Sequence, residues 1–139
     1  MLLVEWYAPM SPAIGQWPPT GERYSIVLSG DPFKWEQTLN DLGQKGWDAI
    51  VAQQPVAGGL ILHVVLMVKN PAIRAVDYKV VVAEFPVSAD SYLIESTRLQ
   101  LEVQANGYTK NGWYLLQALT GMHGSSKAFV ALIHKKILP

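Results

Sequence analysis

Apolar and polar positions along this chain switch between two periods, and the switches mark the elements. Tyr24-Ser25-Ile26-Val27-Leu28 is a short β-branched and apolar run that reads as a strand. Ser29-Gly30-Asp31-Pro32 then supplies a turn, an N-cap acid and a proline at the first helical position. From Pro32 to Leu42 the residues Trp35, Leu39 and Leu42 share one helical face, and Gly43 stands where a C-terminal cap belongs. Trp47 to Gln53 and Leu60 to Lys69 return to strand character and read as a hairpin joined through Pro55-Val56-Ala57-Gly58-Gly59.

The same order is then written again. Tyr78 to Phe85 reads as a strand, Pro86 to Asp90 as a turn, the next stretch as a helix, and Gly112 to Leu119 with Lys127 to Lys136 as a closing hairpin. One stretch conflicts with this: Arg98 to Gln104 alternates strictly and, taken alone, reads as a strand. The spacing of Ile94, Leu101, Ala105 and Tyr108 and an ending at Asn106-Gly107 favour the helix.

The two halves also match residue by residue. Trp35 to Trp47 lies over Leu101 to Trp113 without a gap, and both copies end in Gly-Trp. Tyr24 to Leu28 matches Tyr78 to Val82, and Leu62 to Lys69 matches Ala128 to Lys135. Self-similarity of this kind points to a duplicated unit. The expected fold is α+β: two βαββ repeats about a pseudo-twofold axis, with a mixed, mainly antiparallel sheet packed by two helices. Within each repeat the first strand and the post-helix strand are expected to be parallel through a right-handed crossover. The repeats span 23–70 and 76–137 and form one compact domain. Residues 1–22 form an N-terminal strand and a Pro-rich arm, whose Trp6 and Trp17 need a surface to lie on, either the body or a neighbouring subunit.

Composition narrows the function classes. The chain has 139 residues, half of them apolar, enough for a core without staples. It has no cysteine, which removes disulfides, thiolate metal sites and cysteine nucleophiles together. Eleven basic residues balance eleven acidic ones. A net charge of zero argues against a general nucleic-acid binder and leaves little repulsion between copies, so a homo-oligomer is expected. Glu5 falls where a signal peptide would place its apolar stretch, and the run from Leu60 to Val68 is far short of the ~20 residues a spanning helix needs. The expectation is a cytoplasmic chain with no membrane partner.

The order of a Tyr-Lys-Val-Val strand, a helix ending in Leu-Asn-Asp-Leu-Gly, and a Gly-Trp that opens a strand resembles a family of small bacterial domains of unknown function. Its pattern is of the type Leu-Asn-x-x-Gly-x-x-Gly-Trp-Glu-Leu-Val. Leu39, Asn40, Gly43, Gly46, Trp47, Asp48, Ile50 and Val51 follow it in the first copy; Tyr78, Lys79, Val80, Val81, Gly112, Trp113, Leu115 and Leu116 follow it in the second. Ala105 and Thr109 depart from it. The resemblance covers nearly the whole chain outside the arm and implies a tandem duplication, but no activity and no catalytic residue.

The candidate chemistry is sparse. Gly46-Trp47 and Gly112-Trp113 form the strongest motif, either a stacking platform or a structural plug, with the plug favoured because glycine ends the loop and buried Trp is ordinarily core. His63, His123 and His134 have no acidic or histidine neighbour at a ligand spacing, so no metal and no cofactor are expected. Glu36 and Glu102 match across the repeats and are expected on exposed helical faces. No Ser-His-Asp order, nucleophile elbow or phosphate loop appears.

The leading expectation is therefore a non-enzymatic binding or assembly module that oligomerises through sheet edges and through its aromatic arm. The alternative is a sponge or sensor for a small nucleotide-like anion held between subunits. Arg23, Arg74, Arg98, His123 and Lys127 would pair with phosphate, and Trp17 or Tyr108 would stack on a ring. An enzyme with an interface site, using His123 with Asp90 or Glu95, ranks last.

Overall fold

The computed structural model describes residues 2–4, 22–69 and 71–138. The Pro-rich arm, with Trp6 and Trp17, lies outside the described residues. Strand β1 (Leu2–Val4) pairs with β2 (Glu22–Val27). A 3-10 turn, Pro32–Lys34, opens under the Asp31 cap and leads into α1 (Trp35–Gly43). Strand β3 (Trp47–Gln53), a small ribbon of β4 (Val56–Ala57) and β5 (Leu60–Ile61), and β6 (Val64–Lys69) complete the first half. The second half runs β7 (Ala75–Pro86), α2 (Ser91–Lys110), β8 (Tyr114–His123) and β9 (Lys127–Leu138). The fold is α+β, and the disputed stretch from Arg98 to Gln104 is helical. Alternation of long polar and apolar residues there is overruled by the Asp90 cap and by packing of the Leu101 face. The helix also runs through Asn106-Gly107 to Lys110 rather than ending there.

The expected mixed sheet is replaced by two principal sheets, ordered β1-β2-β6-β3 and β7-β9-β8, in which every pairing is antiparallel. The last strand of each half inserts between the first strand and the post-helix strand. These two flanking strands run in one direction but never touch. The reason is visible in β6, where Val64 to Val68 is buried throughout and so demands a central position. The run from Leu60 does not continue into it: Leu60 and Ile61 turn away with β4 as a separate ribbon.

The halves share more than strand order. Gly46 and Gly112, each before its Trp, take φ of +91° and +87°, where a Cβ would be strained. A bulge follows at Ile50 in β3 and at Leu116 in β8. Lys69 Nζ lies 5.6 Å from the Trp47 ring centre and Lys136 Nζ 5.8 Å from that of Trp113. This register corrects two matches made from sequence. Trp47 faces Lys69 and Trp113 stands beside Lys136, so Lys69 answers Lys136 rather than Lys135. Tyr78 answers Arg23 rather than Tyr24, so the sequence match is one residue out of register, a slip that exchanges the two faces of a strand.

The surroundings of the halves differ. Trp35, Leu39 and Leu42 of α1 are buried with Ile26, Ala49 and Met67 of the first sheet against Val76, Tyr78, Phe129 and Ile133 of the second. The apolar face of α1 therefore joins the core shared by the two sheets, with Gln37 and Asp41 exposed on its other side, while α2 lies on the far face of the second sheet, buried only at Leu101. The two helices do not cover one common sheet, and the contacts are not reciprocal. Asn40 and Glu36, one turn apart on α1, bond the free edge of β7. Glu36 is thus part-buried rather than exposed, whereas Glu102 and Asn106, its counterparts on α2, are exposed. Gly43 is not a left-handed cap either. It sits in the last turn of α1 against β7, where a Cβ would stand 2.0 Å from Val76 O. Tyr78 fastens the same junction: its hydroxyl accepts from Ala49 N at 2.7 Å and donates to Trp47 O at 2.9 Å. Burial drives the pKa of that phenol far above its ordinary value, so it remains a donor.

Candidate functional site: a histidine between two carboxylates beside an apolar cleft

His123 ends β8, where its imidazole faces two acids from distant parts of the chain. Its Nδ1 lies 2.5 Å from Glu84 Oε2 on β7, and its Nε2 lies 3.7 Å from Asp31 Oδ1. Asp31 is fixed by local chemistry, because the same oxygen accepts from Phe33 N at 3.0 Å as the N-cap of the 3-10 turn. Phe33 leans over the histidine with ring centres 6.0 Å apart. Across the hairpin tip, where Gly124 has φ of +77°, His123 is the register partner of Lys127.

Beside this cluster lies a cleft of about 400 Å³, lined by Leu28, Leu60, Ile61, His63, Gly121 and Met122 among others. The β4–β5 ribbon forms one wall. Its tip, Gly58-Gly59, has φ of +59° and +78°, the paired left-handed angles of a tight hairpin turn. At the floor His63 packs between Trp35 and Phe129, with ring centres 4.9 and 5.7 Å away. Its Nε2 lies 2.8 Å from Thr120 O, an acceptor, which assigns the ring proton to Nε2. Gly121 makes room for these rings, since a Cβ there would stand 2.8 Å from Phe129. The ribbon leaves Leu60 67% and Ile61 48% exposed at the mouth, apolar surface that nothing in the described residues covers.

Of the residues expected to bind an anion, only His123 and Lys127 come together. Arg98 is on the outer surface of α2, bonded to Glu95 at 2.5 Å and Glu102 at 3.2 Å, and the Arg98 bond holds the Glu95 carboxyl below its ordinary range. Tyr108 turns inward and stacks on His134 at 4.9 Å. Arg23 pairs with Val68 inside the first sheet, and Arg74 stands at the entry to β7. Trp17 lies outside the described residues. Asp90 and Glu95 are not the acids of His123: Asp90 caps α2 by accepting from Leu93 N, and Glu95 is taken by Arg98. Trp47 and Trp113 are half-buried between a lysine and a tyrosine, Trp47 edge-on to Tyr24 at 4.9 Å and Trp113 to Tyr108 at 6.2 Å. Among the described residues the fully buried tryptophan is Trp35.

Sequence reasoning missed Glu84, Asp31 as more than a cap, and His63. The available signal was an acid at Glu84 inside the otherwise apolar run Val80 to Phe85. The cluster sets two carboxylates about one imidazole, and among the described residues no nucleophilic side chain bonds to it. Among the described residues no group of three or more His, Asp or Glu side chains is placed to hold a metal ion.

A second surface stands apart from the cleft. Along the outer face of α2, Tyr92 is 83% exposed, Leu99 50% and Val103 71%. Two shallow grooves of about 360 and 290 Å³ flank Leu99, one toward Val103 and one toward Tyr92. Among the described residues no helix is long and apolar enough to cross a membrane. No family model matches the chain, and no curated protein and no solved structure matches it.

Proposed function

We propose that this chain is a non-catalytic assembly module, built from a duplicated strand-helix-strand-strand unit, that pairs with a second copy through the outer face of α2. The supporting observation is the contrast between its helices. The apolar face of α1 is consumed in the core, whereas α2 carries Tyr92, Leu99 and Val103 on a solvent-facing stripe. Sheet edges, the other route to association, are largely closed from within. Asn40 and Glu36 occupy the edge of β7, β1 covers β2, and Gln54 bonds Thr120 on β8, accepting from its N at 2.9 Å.

A second copy laid antiparallel across Leu99 would bury both stripes and bring Arg98 of each helix near the acids of the other. The test is light scattering after size exclusion on the full chain. The parent is expected to elute as a discrete oligomer, and Leu99→Glu with Val103→Glu as a monomer with an unchanged circular dichroism spectrum. A monomeric parent at tens of micromolar defeats the proposal.

A further inference from the structure

We infer that the cleft beside the β4–β5 ribbon binds a small molecule with an apolar body and a positively charged head, an alkyl or aryl ammonium in chemical class. The cleft volume of about 400 Å³ lies within the range of small-ligand sites. Its walls supply the apolar contact: Leu28 at the back, Leu60 and Ile61 from the ribbon, and Met122 from β8. The exposed faces of Leu60 and Ile61 are what such a body would cover.

The sign of the head group follows from the mouth. Gly30 and Met122 line the cleft, and the next chain positions, just outside the lining, carry Asp31 and His123. Both imidazole nitrogens of His123 are directed at carboxylates, Glu84 and Asp31. An anion drawn to His123 would therefore stand beside two negative charges. Lys127, the cation across the hairpin, is exposed. A cation instead meets carboxylate oxygens that a single imidazole leaves only partly engaged, and charge-assisted bonds of that kind are the strong ones. Two polar atoms deeper in the cleft are already spent, His63 Nε2 on Thr120 O and His63 O on Leu28 N, and the remaining lining is mostly apolar, so the interior favours hydrocarbon.

The experiment is an NMR titration of the full chain with hexylammonium, hexanol and hexanoate as matched probes. Hexylammonium is expected to shift the amides of Gly30, Gly59 and Gly121 and to bind about tenfold more tightly than hexanol, with hexanoate weakest. Asp31→Asn with Glu84→Gln keeps the helix cap and the histidine partner while removing both charges. It should erase the preference for the amine and leave hexanol binding in place. Leu60→Ser, on an exposed ribbon residue whose loss the core does not feel, should weaken all three probes. Equal or tighter binding of hexanoate overturns the assignment of charge. Absence of shifts at millimolar hexylammonium in the folded parent overturns the site. The monomeric α2 variant should bind as the parent does, which separates this inference from the assembly proposal.

Discussion

Asn40 satisfies both backbone positions of Tyr78, accepting from its N at 2.7 Å and donating to its O at 3.0 Å. A side-chain amide in this arrangement stands in for one residue of a neighbouring strand. It closes the edge of β7 with a helix instead of another strand, and Glu36 extends the closure by accepting from Val80 N at 2.8 Å.

Replacing Asn40 by Ala removes both bonds and leaves two part-buried backbone groups without partners. A loss of about 2–3 kcal/mol is expected in urea unfolding, against about 1 kcal/mol for Glu36→Gln, which can still accept. Asn40→Ala should also aggregate faster on mild heating, because an edge strand is opened. An unchanged midpoint would show that the edge does not depend on this contact.

Lys135 and Asp48 join the two sheets as a buried pair, with Nζ 2.8 Å from Oδ1 and 2.8 Å from Ala49 O. Removing one partner strands the other charge, so Lys135→Met is expected to cost about 3–5 kcal/mol. Lys135→Met combined with Asp48→Asn should recover part of that loss, since no charge is then left buried. A double-mutant cycle by chemical denaturation measures the coupling, and strictly additive effects would refute it.

His134 is wholly buried beneath Tyr108, and neither ring nitrogen completes a hydrogen bond. Burial pulls its pKa below the ordinary imidazole value, and the backbone at Lys79 and Leu132 offsets only part of that shift. The unfolded chain therefore binds the proton more readily than the folded one. Stability should be fully present above the unfolded value near 6.5 and decline as pH falls toward the lower folded value. In the register of the first half this position is Met67. His134→Met is accordingly expected to raise the unfolding midpoint and flatten its dependence on acid below pH 6.5. A variant that keeps the parental slope would assign the acid sensitivity elsewhere.

Gly43 is required by approach rather than by backbone angle. A Cβ at 2.0 Å from Val76 O and 2.8 Å from the Tyr78 ring cannot be accommodated without moving α1 off β7. Gly43→Ala should cost about 3 kcal/mol despite the better helix propensity of alanine. Gly30→Ala, with nothing within 4 Å of its Cβ, is the matched control and should stay within about 0.5 kcal/mol. Equal effects at both glycines, read from their melting curves, would contradict this account.

The local elements were legible because local signals determine them. The Asp31-Pro32 start, the Trp35, Leu39 and Leu42 face, and the left-handed Gly46 and Gly112 are written in a few residues each. The arrangement of the sheets was not, because strand insertion depends on which strand is most completely buried, a property of β6 that only the assembled core expresses. The matching of Tyr24 with Tyr78 failed for a related reason. A match by residue type ignores the period of two, and register alone shows that it is one residue out. At the candidate site, His123 could be singled out in sequence, but Asp31 and Glu84 lie 92 and 39 positions before it and are joined to it only by the packing of β7, β8 and the α1 approach.

That one face of α1 packs on residues of both halves has a consequence for how the molecule is made. During synthesis the first half emerges with Trp35, Leu39 and Leu42 facing a core of which only the first sheet's side exists, and with Asn40 and Glu36 aimed at a strand still inside the ribosome. The helix cannot finish its packing until Tyr78 and Val80 have cleared the exit tunnel. If the two halves descend from a self-sufficient ancestor, the joined chain has given up that independence, and a nascent first half carries an apolar helix face that only the second half can finish covering.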